Sequence, residues 1–297
     1  MRHYLNRNKY WILSHVEPFL PKGQKHIIWQ PMNKKTLYTL LIIVICIIAG
    51  ITYAAYQFYA PPHMREPYLI KHQEDTLRIA YIGDSWAFMH KDHDCVISKL
   101  ITDTLHRPVR VHSYGICGLT SKEIYENMYE NADFKHFLQK RAYEYCFISA
   151  GINDTYKKLG PRYYKQSMDG IIQLLLYNNI RPIILEIPDY DIQKAYKWQK
   201  SLRKILRDIS MYINNTPVDC KQMFRDALDE IVQTKGYHNK LSIIRYQSWN
   251  NDFNNDLQWL YRGDGMHLND YGYQVLDSVI AKEILTIYRC KNEPQKE

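Results

Sequence analysis

Cysteine is scarce in this sequence, and its six cysteines lack the spacing of a metal site. None lies in a CxxC pair, and no cysteine–histidine cluster matches zinc-ligand spacing, which argues against a zinc centre. Cys46 falls inside a long apolar run, so five cysteines remain for the rest of the chain. An odd number excludes a complete disulfide framework within one chain, although a single bridge is compatible with an oxidising compartment.

The chain also lacks internal repeats and low-complexity tracts, and 46% of its residues are hydrophobic, which argues against disorder. Its formal net charge is +8, from 39 basic and 31 acidic residues. Residues 1–59 hold seven of the basic residues and one acid, so residues 60–297 hold 32 and 30, a net charge of +2. The folded part is therefore close to neutral, and we predict no nucleic-acid partner.

No Asp, Glu, Lys or Arg occurs from Thr36 to Met64. The apolar part of this stretch, Leu37 to Tyr59, is long enough to cross about 30 Å of hydrocarbon as a helix. Aromatic residues gather at its far end, and Pro61-Pro62 end it. We predict a transmembrane signal anchor over 36–59 and not a buried core helix. A cleaved signal peptide is the alternative, although no A-x-A site follows the apolar run.

Basic residues precede the predicted anchor and predict its orientation. Lys34 and Lys35 abut the apolar run, and residues 1–35 form a basic arm. The positive-inside rule places this arm in the cytoplasm and the rest of the chain, after residue 60, outside it. The predicted protein is thus a single-pass cytoplasmic (inner) membrane protein with a periplasmic or extracellular domain. Met32-Asn-Lys-Lys is typical of a translation start, so synthesis could begin at Met1 or at Met32.

Beyond a proline-containing tether at 60–76, residues 77–297 alternate short apolar segments with longer amphipathic ones. The predicted strands are Arg78–Ile82, Val109–Ser113, Tyr145–Ser149, Pro182–Ile187 and Leu241–Tyr246. The predicted helices lie near 93–106, 120–139, 161–179, 191–213, 219–234 and 269–289. This alternation predicts a parallel sheet with helices on both faces. Residues 247–263 are expected to form a polar, aromatic loop.

Ligands bind beyond the carboxyl ends of the strands in open parallel sheets, so residues there are the candidates for chemistry. The first strand leads directly into Gly83-Asp84-Ser85-Trp86. Glycine allows a tight exit from the strand and leaves the Ser85 hydroxyl exposed near a helix start, where backbone N–H groups support negative charge. A simple helix cap is the structural alternative.

Three further blocks each combine a candidate catalytic group with a structural alternative. Gly118, within GICGLTS, can present its backbone N–H above Ser85 or form a turn before a capped helix. Asn153, within GIND, can donate its amide to a developing oxyanion or close a turn. Asp264 and His267, in GDGMH, are spaced so that the carboxylate can orient the imidazole, although such pairs are also structural.

In their order and placement, the four blocks resemble the signature of the SGNH/GDSL hydrolases, over roughly residues 77–289. The resemblance implies that Ser85 is the nucleophile, His267 the general base and acid, and Asp264 its orienting partner. It implies an oxyanion hole formed by the N–H groups of Ser85 and Gly118 and the side chain of Asn153. The implied fold is a three-layer α/β/α sandwich resembling flavodoxin, with a five-stranded parallel sheet.

The sequence departs from the family at Trp86, where a smaller residue is usual, and we expect this side chain to narrow the acyl pocket. The resemblance implies ester hydrolysis through an acyl-enzyme, without a metal or organic cofactor. With the domain outside the cytoplasm, the expected substrate is an acylated carbohydrate, namely O-acetyl groups of surface polysaccharide. The alternatives are O-acetyl transfer beside a membrane acyl-carrier protein, lipid ester or thioester hydrolysis, and a non-catalytic, membrane-tethered assembly or binding protein.

Overall fold

The computed structural model of the chain describes residues 33–70, 76–90, 94–197 and 199–292. The contacts between residues divide the chain into two compact units, one up to Tyr56 and one from Gln57 onwards. Most of the predicted basic arm, residues 1–32, lies outside the described residues, as does part of the predicted tether, residues 71–75. The first unit is dominated by α1, Lys34–Tyr59, which is long and apolar enough to cross a membrane.

Within the described residues, the second unit contains five strands and eleven further α-helices. The strands are β1 (Leu77–Gly83), β2 (Val109–Gly115), β3 (Tyr145–Ser149), β4 (Arg181–Leu185) and β5 (Ser242–Ile244). The helices are α2 (Ser85–His90), α3 (Asp94–Leu105), α4 (Ser121–Glu130), α5 (Ala132–Gln139), α6 (Ile152–Lys157), α7 (Pro161–Tyr177), α8 (Ile192–Lys197), α9 (Ser201–Asn214), α10 (Lys221–Thr234), α11 (Phe253–Trp259) and α12 (Asp270–Asn292).

The strands form a single parallel sheet in the order β2-β1-β3-β4-β5, which is the flavodoxin-like order. Gly83, the last residue of β1, pairs with Gly115 of β2 and with Ser149 of β3, so three strands end at the same edge. Helices α3 and α12 pack together, and α4, α7 and α10 form a second group. The α/β fold expected from the alternation of strands and helices is confirmed.

The core lies on both sides of the central strands. Every residue of β3 is buried, and β1 is buried apart from Arg78, which is partly exposed. Strands covered by helices on both faces need apolar side chains throughout, which explains the continuous runs of Ile, Tyr and Phe. Leu77, Ile79 and Ile82 are fully buried in this core.

Two segments that were each predicted to be one helix form two helices in the structure. The segment predicted near 120–139 divides at Asn131, whose backbone N–H bonds the carbonyl of Asn127 at the end of α4. The Asn131 side chain accepts hydrogen bonds from the N–H groups of Asp133 and Phe134 and so caps α5. The segment near 191–213 likewise forms α8 and α9. Residues 247–263, expected to be a loop, contain α11.

The described part of the predicted tether packs along the second unit. The N–H of Arg65 donates to the Tyr125 hydroxyl (2.8 Å), the Tyr68 hydroxyl donates to the carbonyl of Met128 (2.7 Å), and the N–H of Ile70 donates to the Asn178 side chain (2.6 Å). These bonds join residues 65–70 to α4 and to the end of α7, so this segment is part of the folded unit.

The cysteines whose side chains are described form no disulfide with one another. They are Cys46, Cys117, Cys146, Cys220 and Cys290. Burial raises the pKa of the Cys220 thiol, while nearby Lys158 opposes that rise. The side chain of Cys95 lies outside the described residues.

Candidate active site

The end of β1 places Ser85 at the carboxyl edge of the sheet. A Cβ atom at Gly83 would lie 2.1 Å from the carbonyl oxygen of Ser149, so glycine is required where β1 passes β3. The chain leaves the strand at Asp84 and begins α2 at Ser85. In the first turn of a helix the N–H groups lack intrahelical acceptors, so the Ser85 N–H is available to a ligand.

Ser85, His267 and Asp264 form a continuous hydrogen-bonded chain. The Nε2 atom of His267 is 2.9 Å from the Ser85 hydroxyl oxygen, and its Nδ1 atom is 2.7 Å from a carboxylate oxygen of Asp264. Ser85 is 7% exposed, so most of the residue is packed. With the ring proton on Nδ1, His267 donates to Asp264 and Nε2 accepts the Ser85 proton.

Asp264 is held as the anion that this tautomer requires. Partial burial raises the pKa of its carboxyl group, but hydrogen bonds from the His267 side chain and from two backbone N–H groups outweigh that effect, so the pKa is lowered. Those backbone donors are Met266 (2.9 Å) and His267 (3.0 Å), both bonded to the second carboxylate oxygen. One carboxylate therefore fixes both the loop and the imidazole.

The loop that carries this pair is closed by its own backbone. Gly265 has a φ of +70°, in the left-handed region that favours glycine. Its N–H donates to the carbonyl of Arg262 (2.9 Å), and its carbonyl accepts from the N–H of Asp191, just before α8 (2.9 Å). The third residue of GDGMH, Gly265, thus serves the turn, while the second and last residues, Asp264 and His267, serve the chemistry.

The structure brings Gly118 and Asn153 to the same edge as Ser85. Gly118 has a φ of +81°, and a Cβ atom there would meet no other atom within 4 Å. The side-chain nitrogen of Asn153 donates to the carbonyl of Leu119 (2.9 Å) and to a carboxylate oxygen of Asp84 (3.2 Å). An oxyanion would have to replace one of these acceptors, so the role of Asn153 in an oxyanion hole stays a prediction.

Two buried carboxyl groups lie beneath the site and were not singled out from the sequence. Asp84 and Asp154 are both fully buried. Burial raises the pKa of Asp84 to about 7, with Asp154 contributing, and burial raises the pKa of Asp154 to about 6. The N–H of Ser121 (2.8 Å) and its hydroxyl (2.6 Å) both donate to Asp154. Asp84 lies in the block that contains Ser85, and Asp154 lies in the block that contains Asn153. Their position inside these blocks is the feature of the sequence that could have identified them.

A second buried group, which no sequence motif marks, joins the helix of Ser85 to the helix that follows His267. His90, at the end of α2, bonds Asp277 of α12 through Nε2 (2.6 Å) and Ser113 of β2 through Nδ1 (2.9 Å). The side chains of His90 and Asp277 are fully buried. The Tyr273 hydroxyl also donates to the carbonyl of Trp86 (3.1 Å). These contacts fix α12 against α2.

Trp86 does not line an open acyl pocket, contrary to expectation. Its side chain is fully buried, and its ring centroid lies 6.0 Å from that of Trp249 and 6.5 Å from that of Tyr261. The large ring therefore packs under the segment that contains α11 and holds that segment on the domain. Within the described residues, no group of three or more His, Cys, Asp or Glu side chains is arranged to bind a metal.

Comparison with known proteins finds similar solved structures but no sequence family. No protein-family model matches the chain, and no curated protein matches it. Similar structures include a GDSL-like lipase from Bacteroides thetaiotaomicron, at 19% identity and a TM-score of 0.45, covering 70% of this chain and 88% of that one. A lipase/acylhydrolase from Enterococcus faecalis is 16% identical, with a TM-score of 0.47 and coverage of 74% and 100%.

A third similar structure is the acetyl xylan esterase AlAXEase, at 14% identity and a TM-score of 0.47, covering 70% of this chain and 100% of that one. One of the three, the GDSL-like lipase, carries the name of the class that the four blocks resemble. At such identities and TM-scores the likeness does not establish an activity, and the functional assignment rests on the geometry at Ser85.

Proposed function

We propose that the chain is a serine-dependent ester hydrolase that works through an acyl-enzyme. The observation that carries this proposal is the hydrogen-bonded chain from Ser85 through His267 to Asp264 at the carboxyl edge of a parallel sheet. A serine hydroxyl is a weak nucleophile until a neighbouring base removes its proton. The separation of 2.9 Å between Nε2 and the Ser85 oxygen is within the reach that this transfer needs.

In the first half-reaction, the Ser85 oxygen attacks the carbonyl carbon of the ester while His267 Nε2 takes the hydroxyl proton. Anionic Asp264 stabilises the resulting imidazolium. The N–H groups of Ser85 and Gly118, with the Asn153 amide, would stabilise the oxyanion. When the C–O bond of the ester breaks, His267 returns the proton to the leaving alcohol. Water then attacks the acyl-enzyme by the same steps in reverse and releases the acid.

The substrate that we propose is O-acetylated polysaccharide of the cell envelope, reached by a domain anchored through α1. The length and apolar composition of α1 support membrane anchoring. The basic residues before α1 support an orientation with the domain outside the cytoplasm. An acceptor hydroxyl in place of water would turn the same chemistry into acetyl transfer, with a membrane acyl-carrier protein as the acyl donor. The proposed chemistry uses no cofactor.

Labelling with a fluorophosphonate tests the catalytic role directly, because this reagent reacts far faster with an activated serine than with an ordinary hydroxyl group. We expect covalent capture at Ser85, and a matched His267→Ala variant should label far more slowly. If the folded, full-length protein is not labelled, the site is decayed, and the alternative of a membrane-tethered assembly or binding protein is favoured.

The direction of the reaction requires a separate experiment on the natural substrate. Mass spectrometry of purified envelope polysaccharide from cells with and without this protein measures its O-acetyl content. We expect O-acetyl groups to accumulate when the protein is absent. Loss of O-acetyl groups in its absence would mean acetyl transfer, and no change would exclude O-acetylated polysaccharide as the substrate.

A further inference from the structure

Helix α9 presents its apolar side chains to solvent. Leu202, Ile205, Leu206, Ile209, Tyr212 and Ile213 are between 47% and 89% exposed. They recur at the three- and four-residue spacing that places them along one side of a helix. A soluble domain normally turns such a stripe towards its core, and within the part of the chain that the structure describes nothing covers it.

The polar side of α9 is the side that packs against the domain. The buried hydroxyl of Ser210 and the side-chain nitrogen of Asn214 both donate to the carbonyl of Lys158, at 2.9 Å and 3.0 Å. Arg207 lies against the ring of Tyr196, 4.2 Å from its centroid. The helix is thus held in place by polar bonds, and its outward apolar face is a fixed feature of the fold.

Positive charge is concentrated in the segment that contains this face. Residues 192–214 hold six basic residues and one acid. The remainder of 60–297 therefore holds 26 basic and 29 acidic residues, a net charge of −3. The segment that exposes the apolar stripe is the basic part of an otherwise acidic domain. An apolar face bordered by Lys and Arg is complementary to a membrane surface that contains anionic lipid.

The chain enters the folded unit close to α9. The ammonium group of Lys122, in the first turn of α4, donates to the carbonyl of Ala60 (2.8 Å), and the Tyr163 hydroxyl, in the first turn of α7, donates to the carbonyl of Phe58. The last residue of α9, Asn214, also lies at this end of α7, because a Cβ atom at Gly160 would be 3.0 Å from its side-chain oxygen.

We infer that α9 inserts its apolar side chains into the headgroup region of an anionic membrane and so holds the domain against that membrane. The segment α8–α9 begins at Asp191, which bonds Gly265 in the loop of Asp264 and His267. Lys158, to which α9 is bonded, directly follows α6, which carries Asn153. Docking of α9 therefore places the Ser85 edge of the sheet near the lipid surface.

Photo-crosslinking of the full-length protein tests this inference. p-Benzoylphenylalanine replaces Ile209 in one variant and Tyr177 in the control, and the protein is reconstituted in vesicles of phosphatidylethanolamine and phosphatidylglycerol. Tyr177 is 56% exposed but ends α7 at the opposite edge of the sheet, just before β4. We expect lipid adducts at position 209 at least about tenfold above those at position 177, because photo-crosslinking reports contact with acyl chains.

Equal adducts at the two positions, no lipid adduct at position 209, or an adduct from position 209 to a second copy of the chain would each overturn the inference. Replacing phosphatidylglycerol with phosphatidylcholine should lower the adducts at position 209, and an unchanged yield would overturn the role of charge. The readout does not depend on turnover. Fluorophosphonate labelling of the same samples reports the proposed ester chemistry separately, so failure of one proposal is distinguishable from failure of the other.

Discussion

At the scale of single residues, Ser85 and His267 are expected to act as one unit, because the imidazole must take the hydroxyl proton as the oxygen attacks. Ser85→Ala and His267→Ala should each lower kcat by up to about 10⁶-fold, and the double variant should be little worse than either. Steady-state hydrolysis of a soluble acetyl ester measures this. Near-full activity of Ser85→Ala with an intact fold would contradict the mechanism.

Asp264→Ala is the matched comparison for that pair. The variant removes the carboxylate that accepts hydrogen bonds from His267 Nδ1 and from two backbone N–H groups. It keeps the base, His267, and the nucleophile, Ser85. Because a misoriented imidazole still functions in part, the loss should be smaller, on the order of 10⁴-fold.

Asn153 has a structural and a proposed catalytic function, and kinetics can separate them. If its amide donates to the oxyanion, the bond strengthens only as charge develops, so the loss falls on the rate and not on substrate binding. We expect Asn153→Ala to lower kcat by roughly 10²–10³ with KM little changed. The lost bonds to Asp84 and Leu119 should cost about 1 kcal/mol of stability in addition. A destabilised but fully active variant would remove Asn153 from the oxyanion hole.

The raised pKa of Asp84 predicts that this group destabilises the fold as the pH rises. The unfolded carboxyl group loses its proton near its ordinary pKa of 3.8, whereas the folded group, with a pKa of about 7, keeps it longer. The native state therefore binds more protons between these values, and the contribution of Asp84 to stability falls from about pH 4 to pH 7. Asp154, with a pKa of about 6, acts in the same direction.

Thermal unfolding of the wild type and of Asp84→Asn at pH 5 and pH 8 measures this effect. The asparagine has no proton to lose in this range, so the Tm of the variant should fall less between the two pH values than that of the wild type. Asp264, whose pKa is lowered, is ionised in both states by pH 5 and does not alter the comparison. An equal pH dependence in both proteins would show that Asp84 does not titrate in this window.

At the scale of elements, the contact between α2 and α12 joins the helix that begins at Ser85 to the helix that follows His267. Asp277→Ala removes the carboxylate bonded to Nε2 of the fully buried His90 and should cost roughly 1–3 kcal/mol in the free energy of unfolding. Tyr273→Phe removes only the hydroxyl bonded to the Trp86 carbonyl and should cost about 1 kcal/mol. Urea unfolding measures both. A loss below about 1 kcal/mol for Asp277→Ala would contradict a stabilising function of the pair.

Much of the sheet could be predicted from sequence, because each strand is a short apolar segment bounded by Pro, Gly or charged residues. The range Tyr145–Ser149 is that of β3 in the structure. β5 is shorter than predicted because the N–H of Tyr246 donates to the Glu186 carboxylate (3.0 Å), and residues from Tyr246 onwards form a 3-10 turn. The break between α4 and α5 depends on how Asn131 bonds locally, which helical periodicity does not reveal.

The candidate site could be predicted only where its residues lie within recognisable blocks. Ser85, Asp264 and His267 belong to such blocks, and their order along successive strand ends indicated that they would meet. His90 and Asp277 are separated by 187 positions, and nothing local marks either residue as a partner of the other. The burial of Asp84 likewise results from tertiary packing, so its raised pKa has no signature in the sequence.

At the scale of the whole molecule, the proposed function depends on where the second unit is located. Helix α1 contains 26 residues, which is more than the roughly 20 that span a bilayer. The basic residues Lys34 and Lys35 lie at its start, whereas Arg65 and Lys71 beyond it are offset by Glu66, Glu74 and Asp75. This asymmetry predicts that the N-terminal side stays in the cytoplasm and that residues after 60 are exported.

A reporter fused after residue 297 tests this orientation. Alkaline phosphatase, which needs an oxidising compartment to form its disulfides, should be active in the fusion, whereas a fluorescent protein that matures only in the cytoplasm should be dark. Replacing Lys34 and Lys35 with glutamate in the same fusion should reduce export, because these charges set the orientation. An alkaline phosphatase fusion that is inactive although the protein is made would place the domain in the cytoplasm. It would also rule out the envelope polysaccharide as substrate, while leaving the Ser85 chemistry to be judged by fluorophosphonate labelling.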